Sequence, residues 1–110
     1  MSYDIRFIIH PTTAPDIEVD LPDLDLNITY NLSKLFQALP IGDLNQLDNR
    51  LASDIEEAIL ESIHQLKEFP QYYEAYESPN GWGTLPGAVS FLDAFYKACK
   101  KHPYAAVRVD

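Results

Sequence analysis

Over residues 3–9 hydrophobic and polar positions alternate: Tyr3, Ile5, Phe7 and Ile9 share one face, Asp4 and Arg6 the other. That period of two, carried by aromatic and β-branched residues, predicts a half-buried strand. The stretch HPTTAP that follows holds two prolines and two threonines and reads as a turn. Residues 17–21 alternate again, with Ile17, Val19 and Leu21 against Glu18 and Asp20, so a hairpin is the simplest pairing. Leu24, Leu26 and Ile28 continue the alternation and would extend a strand.

The period then changes. Leu32, Leu35, Phe36 and Leu39 have helical spacing, with Asn31 or Ser33 as caps and Pro40 as the stop, which predicts a short helix over 32–39. Around residues 50–69 the stripe is longer: Leu51, Ile55, Ala58, Ile59, Ser62, Ile63 and Leu66 line one face. Asp54, Glu57, Glu61, His64 and Glu68 fall outside it, and Leu60 lies off the stripe, exposed or against a partner. Ser53 with Glu56 three residues on has the spacing of a capping box. A third helix, about 85–101, puts Leu85, Ala88, Val89, Leu92, Phe95, Tyr96 and Cys99 on one face. Lys97, Lys100 and Lys101 suit the negative end of its dipole, and His102-Pro103 ends it. The tail AAVRV sets Val107 and Val109 opposite Arg108, a further strand.

The order β-β-α-α-α-β predicts an α+β fold in one domain spanning 1–110. Its sheet is small and mostly antiparallel, three strands made of the N-terminal hairpin and the C-terminal strand, packed against about three helices.

Charge changes the picture more than composition does. The 46% hydrophobic and 23% charged residues are ordinary for a globular chain. The net charge of −9, from 17 acids against 8 bases, repels a phosphate backbone and argues against direct nucleic-acid binding. It suits a basic protein partner, or mimicry of nucleic acid. One cysteine excludes an internal disulfide. The N-terminus has no signal-peptide pattern and no stretch reaches membrane-spanning length, so the expectation is a cytoplasmic protein without membrane attachment.

Motifs for chemistry are sparse. Asp23-x-Asp25-x-Asn27 starts like a calcium loop, but Ile28 stands where the loop needs glycine and Lys34 where it needs the closing glutamate. His10, His64 and His102 form no metal-type pair, and neither metal nor cofactor is expected. Cys99 lies on an apolar face and reads as an inert core thiol. No serine has an elbow context and no glycine-rich phosphate loop occurs, so the chain reads as non-enzymatic.

The strings LNITYNLSKLF (26–36) and SPNGWGT (78–84), followed by Phe91-Leu92, carry a resemblance. The chain resembles a family of small bacterial and phage proteins without an assigned activity, which open with a YDI-type strand and carry an NITYN-S motif. Some of those have a histidine- and glycine-rich insertion before the motif, where this chain has only VDLPDLD. The resemblance implies a domain found around mobile elements, acting by binding in conflict or regulation.

Two readings of function follow. In the first, an interaction protein binds a partner through the acidic helix and an aromatic surface from Tyr72, Tyr73, Tyr76 and Trp82, residue types favoured as interface anchors. In the second, Asn27, Thr29, Tyr30 and Asn31 line a polar pocket near Trp82 for a small ligand or a reaction. Asparagines at a strand-to-helix junction also serve simply as turn and cap residues. In SPNGWGT, Asn80-Gly81 reads as a turn and Thr84 as the N-cap of the last helix. Trp82 would point into the core or stand outward as an anchor, and a lone tryptophan's usual burial favours the core.

Overall fold

The computed structural model describes residues 2–21, 26–78, 81 and 83–110. Four strands and four α-helices follow in the order β1 (Ser2–Ile9), β2 (Val19–Asp20), β3 (Leu26–Thr29), α1 (Ser33–Gln37), α2 (Ala52–Glu68), α3 (Pro70–Tyr73), α4 (Leu85–Lys101) and β4 (Ala106–Val109). Short 3₁₀ turns occupy Tyr30–Leu32, Leu44–Leu47 and Glu74–Tyr76.

β1 is the central strand. Ile5 faces Leu26 of β3 and Val109 of β4, and Ile8 faces Asp20 of β2 and Ala106 of β4, all antiparallel. A strand residue has one neighbour on each side. Thus β4 runs along one side of β1 while β2 and β3 share the other. The expected three-stranded sheet becomes four-stranded because the return limb pairs in two pieces. A straight continuation of the β2 register would put position 23 opposite Ile5, whereas Leu26 stands there.

The helices cover one face. Tyr3, Ile5 and Phe7 are buried beneath them, and Phe7 meets Phe95 edge-on with ring centroids 6.1 Å apart. Phe91 links Phe95 to Phe36 of α1 at 5.7 and 5.9 Å. On the opposite face Arg6 pairs with Asp20 (2.8 Å) and Asp110 (2.7 Å), and Arg108 with Glu18. The Asp110 hydrogen bond raises the Arg6 pKa, with smaller contributions from both carboxylates. The Arg6 pairs are exposed and contribute modestly to stability, whereas Arg108 is half-buried.

α2 and α4 lie antiparallel: Ser53 at the start of α2 bonds Pro103 just beyond α4, while Leu66 and Lys67 at its end line a groove with Leu85 and Val89. The two long helices begin differently. At α4 the Gly87 N–H donates to Thr84 Oγ1 (3.1 Å), the expected cap, and Glu77 Oε2 accepts from Leu85 N (2.8 Å). The turn before it closes through Gly81 N to the Ser78 carbonyl (3.1 Å), with Gly81 at φ 78°. A left-handed residue there is where glycine carries no steric cost. At α2 the expected capping box of Ser53 and Glu56 is not formed. The helix starts at Ala52, and its first N–H groups go to distant carbonyls, Ala52 to Ala105 (2.9 Å) and Ser53 to Pro103 (3.0 Å).

The first helix is also corrected. α1 covers Ser33–Gln37 rather than 32–39, and neither Asn31 nor Ser33 caps it. The preceding 3₁₀ turn is capped by Thr29, whose hydroxyl accepts from Asn31 N (3.2 Å), so the chain already turns at Tyr30. The fourth helix, α3, lies in a segment where periodicity marks no element.

Candidate functional site

α3 exists because of one dipeptide. The residue before proline disfavours the helical region, so α2 must stop at Phe69. Phe69 takes φ −127° and ψ 52°, and the chain restarts in a new direction with Pro70 in the first helical turn. That proline lacks an N–H the helix would leave unpaired anyway. The break turns two large side chains outward: Phe69 is 51% exposed and Tyr72 71%. Tyr73, next in sequence, turns inward and is only 5% exposed.

Tyr73 therefore belongs to the core, and the exposed rings of this segment are Phe69 and Tyr72. Its ring meets Tyr72 edge-on at 4.9 Å and lies 6.3 Å from the half-buried Tyr76. Its hydroxyl donates to Gln65 Oε1 (3.4 Å). Burial, with lesser contributions from Tyr72 and Tyr76, raises the Tyr73 pKa.

Two grooves flank α3. One, of about 700 Å³, has a floor of Leu66, Leu85, Val89 and Pro70 with Glu74 and Glu77 on its rim. The other, of about 350 Å³, lies between Ala38, Gln65, Phe69, Tyr72 and Tyr73. Glu77 is committed to the start of α4, where the helix dipole favours an anion. Glu74 and Glu68 stand exposed, and Lys67 is the cation on the larger groove's rim. The site is thus an apolar ridge between two grooves with a mainly acidic border. Phe69 was not singled out from the sequence, because it reads as the end of a helix; the Phe-Pro junction is the signal that finds it.

The polar cluster is placed differently. Asn27 is exposed, and its Nδ2 donates to Ser2 Oγ (2.9 Å) and Asp4 Oδ1 (2.6 Å). Tyr30 packs edge-on against Tyr3 with centroids 4.4 Å apart, and Asn31 is exposed. A Cβ built on Gly83 would come within 3.1 Å of Leu32 and 3.5 Å of Asn31, so the turn before α4 sits directly on the NITYN junction. His10 does not join the cluster. Asn27 faces Asp4, and His10 lies six positions further along, just past the end of β1, roughly 20 Å away. The placement of Trp82, and of Asp23 and Asp25 in the calcium-like pattern, lies outside the described residues.

Among the described residues no three His, Cys, Asp or Glu side chains group to hold a metal, and no helix is long and apolar enough to cross a membrane. Cys99 is fully buried; that burial and nearby Glu56 push its thiol up to about 12, far from a reactive thiolate. No protein-family model, curated protein or solved structure matches the chain.

Proposed function

We propose that this chain is a cytoplasmic protein-recognition module, and that α3 with its two grooves receives a basic, amphipathic segment of a partner protein. The observation that carries this reading is the pair Phe69 and Tyr72, two large rings held outward beside grooves with apolar floors. Aromatic side chains bury roughly 150–250 Å² each, and at about 25 cal/mol per Å² covering the exposed part of each ring is worth about 3 kcal/mol before the costs of association. The exposed carboxylates of Glu68 and Glu74, in a chain of net charge −9, select a partner of opposite sign and speed its encounter. The same charge disfavours direct contact with nucleic acid. In the setting of mobile elements that the sequence resemblance implies, such a module would act by occupying its partner rather than by chemistry. The alternative of a ligand or catalytic pocket at Asn27 and Asn31 is not favoured, since Asn27 is engaged by Ser2 and Asp4 and no histidine stands near.

The test is an NMR titration with a synthetic amphipathic peptide carrying lysines on its polar face, beside a control with the same apolar face and glutamates. The lysine peptide is expected to shift resonances of residues 65–77 and 85–90. Tyr72→Ala is expected to weaken binding about tenfold, roughly 1.4 kcal/mol. Equal binding of the glutamate peptide, or shifts confined to the sheet, would overturn the reading.

A further inference from the structure

The opposite end of the α2–α4 pair carries the complementary character. A cleft of about 370 Å³ there is lined by Ile8, Ile9, His10, Leu51, Tyr104 and Ala106. Ile8 points away from the helix-covered face yet is 1% exposed, while Leu51 (45%) and Tyr104 (63%), which line the same cleft, stand outward. Arg50 adjoins Leu51, and Lys100 and Lys101 end α4 just before Tyr104, these cations outnumbering the exposed carboxylates of Asp48 and Asp54 beside them. Among the described residues none of these three cations makes an ion pair, whereas Arg6, Lys97 and Arg108 all do. Since the helices are antiparallel and 17 residues long, this basic end and the acidic ridge at α3 stand about 25 Å apart.

We infer that the occupant of the α3 site is the basic end of a second copy of this chain, which rests on the docking reading above. Leu51 and Tyr104 of one copy cover Phe69 and Tyr72 of the next, with Arg50, Lys100 and Lys101 facing Glu68 and Glu74. Because the two surfaces differ, the contact is heterologous and propagates head to tail unless a ring closes it. Four large side chains make a contact smaller than the roughly 800 Å² per partner of a standard interface, so association is weak and tuned by concentration.

The sign of the salt effect separates this contact from general behaviour. A chain of net charge −9 repels its copies, and salt screens that repulsion, so non-specific association would grow with salt. Attraction between opposite ends weakens with salt instead. Sedimentation velocity over a concentration series, at about 0.01 and about 1 M ionic strength, reads the difference. The expected result is an average mass that rises with concentration at low salt and falls back to the monomer at high salt. Two variants complete the test: Glu68→Lys with Glu74→Lys reverses the acidic ridge, and Arg50→Glu with Lys101→Glu reverses the basic end. All four positions are exposed, and circular dichroism checks that both variants fold.

Each variant alone is expected to remain monomeric. Mixed, the intact basic end of one meets the intact ridge of the other, and the two reversed surfaces are opposite in charge as well, so association that needs both variants should return and again weaken with salt. A monomer at every concentration, association that strengthens with salt, or a mixture that fails to pair overturns the inference. If the chain stays monomeric while the lysine peptide still shifts the α3 resonances, only self-association falls. If the peptide also fails, the docking reading falls with it.

Discussion

The starts of α2 and α4 solve one problem in two ways. Each 17-residue helix exposes N–H groups at its first turn that the helix itself cannot satisfy. α4 uses residues within a few positions of itself, Thr84 for Gly87 and Glu77 for Leu85. α2 uses the far end of the chain, taking the carbonyls of Ala105 and Pro103 as Leu51 bridges to Ala106 in β4. A local cap forms with its helix, while this remote one forms only when residues 103–105 reach the start of α2. α2 is therefore the helix whose integrity reports on tertiary structure.

The seam between the two helices offers the largest way to break the contrast. Cys99 of α4 is fully buried with Glu56 of α2 nearby, and its thiol is raised from about 9 to about 12. A raised folded value means stability is intact below the unfolded value and is lost as pH climbs through the folded one. The loss therefore runs from pH 9 to pH 12 and reaches up to about 4 kcal/mol at about 1.36 kcal/mol per pKa unit. Cys99→Ala removes this ionisation and should move the midpoint of alkaline unfolding upward, read by tryptophan fluorescence or circular dichroism. Unchanged midpoints would mean that other groups, such as Tyr3 and Tyr73 with their burial-raised values, govern the alkaline limb.

A smaller effect sharpens the dependence of α2 on remote partners. Ser62 is fully buried on its apolar stripe; its hydroxyl donates to the Ala58 carbonyl (2.8 Å) and accepts from Ile41 N (2.9 Å). Ser62→Ala leaves the Ile41 N–H without a partner inside the protein, at a cost of about 1–3 kcal/mol despite alanine's better helix propensity. Ser90→Ala on the exposed side of α4 is the matched control and should be neutral or stabilising by up to ~0.5 kcal/mol. Urea unfolding of the two variants measures both. Similar losses would show that α2 draws nothing particular from its tie to Ile41.

How far the sequence could be read follows the same division. β1, α2 and α4 are long enough for their periodicity to outvote single residues, and Ile5, Phe7, Ile55, Ile59, Leu92 and Phe95 of their predicted faces are buried, whereas Leu51 of the α2 stripe is exposed and Ile8 and Phe91, off the predicted faces, are buried. Thr84 was legible because its partner is three residues away. Ser62 was legible as a stripe position but not as a tie, because Ile41 lies in a loop no pattern places. β3 was legible as a continued alternation but not as a separate piece set by its pairing with β1, and α3, with four residues, is too short for a period and is set by the Phe69-Pro70 break. Around α3 the tyrosines were legible as a group, but Tyr72 and Tyr73 differ only by which way α3 restarts. That direction is set by tertiary packing, so adjacent residues of one type take opposite fates.

Thr84 and Ser53 pair a cap that forms with one that does not. Thr84→Ala removes the acceptor for Gly87 N and should cost about 1 kcal/mol, a fall of about 4 °C in melting temperature for a domain of this size. Ser53→Ala removes a hydroxyl with the right sequence spacing but no capping role, since the helix already starts at Ala52 and Ser53 is its second residue rather than its cap. Its effect should stay within about 0.5 kcal/mol, the ordinary range for an exposed position. Differential scanning calorimetry on the two variants decides the matter. Equal losses would mean that Ser53 caps α2 in solution and that its start is as local as that of α4. A loss at Thr84 alone means that a capping-box pattern states only what a helix could use, while β4, reaching Leu51 first, decides what it does use.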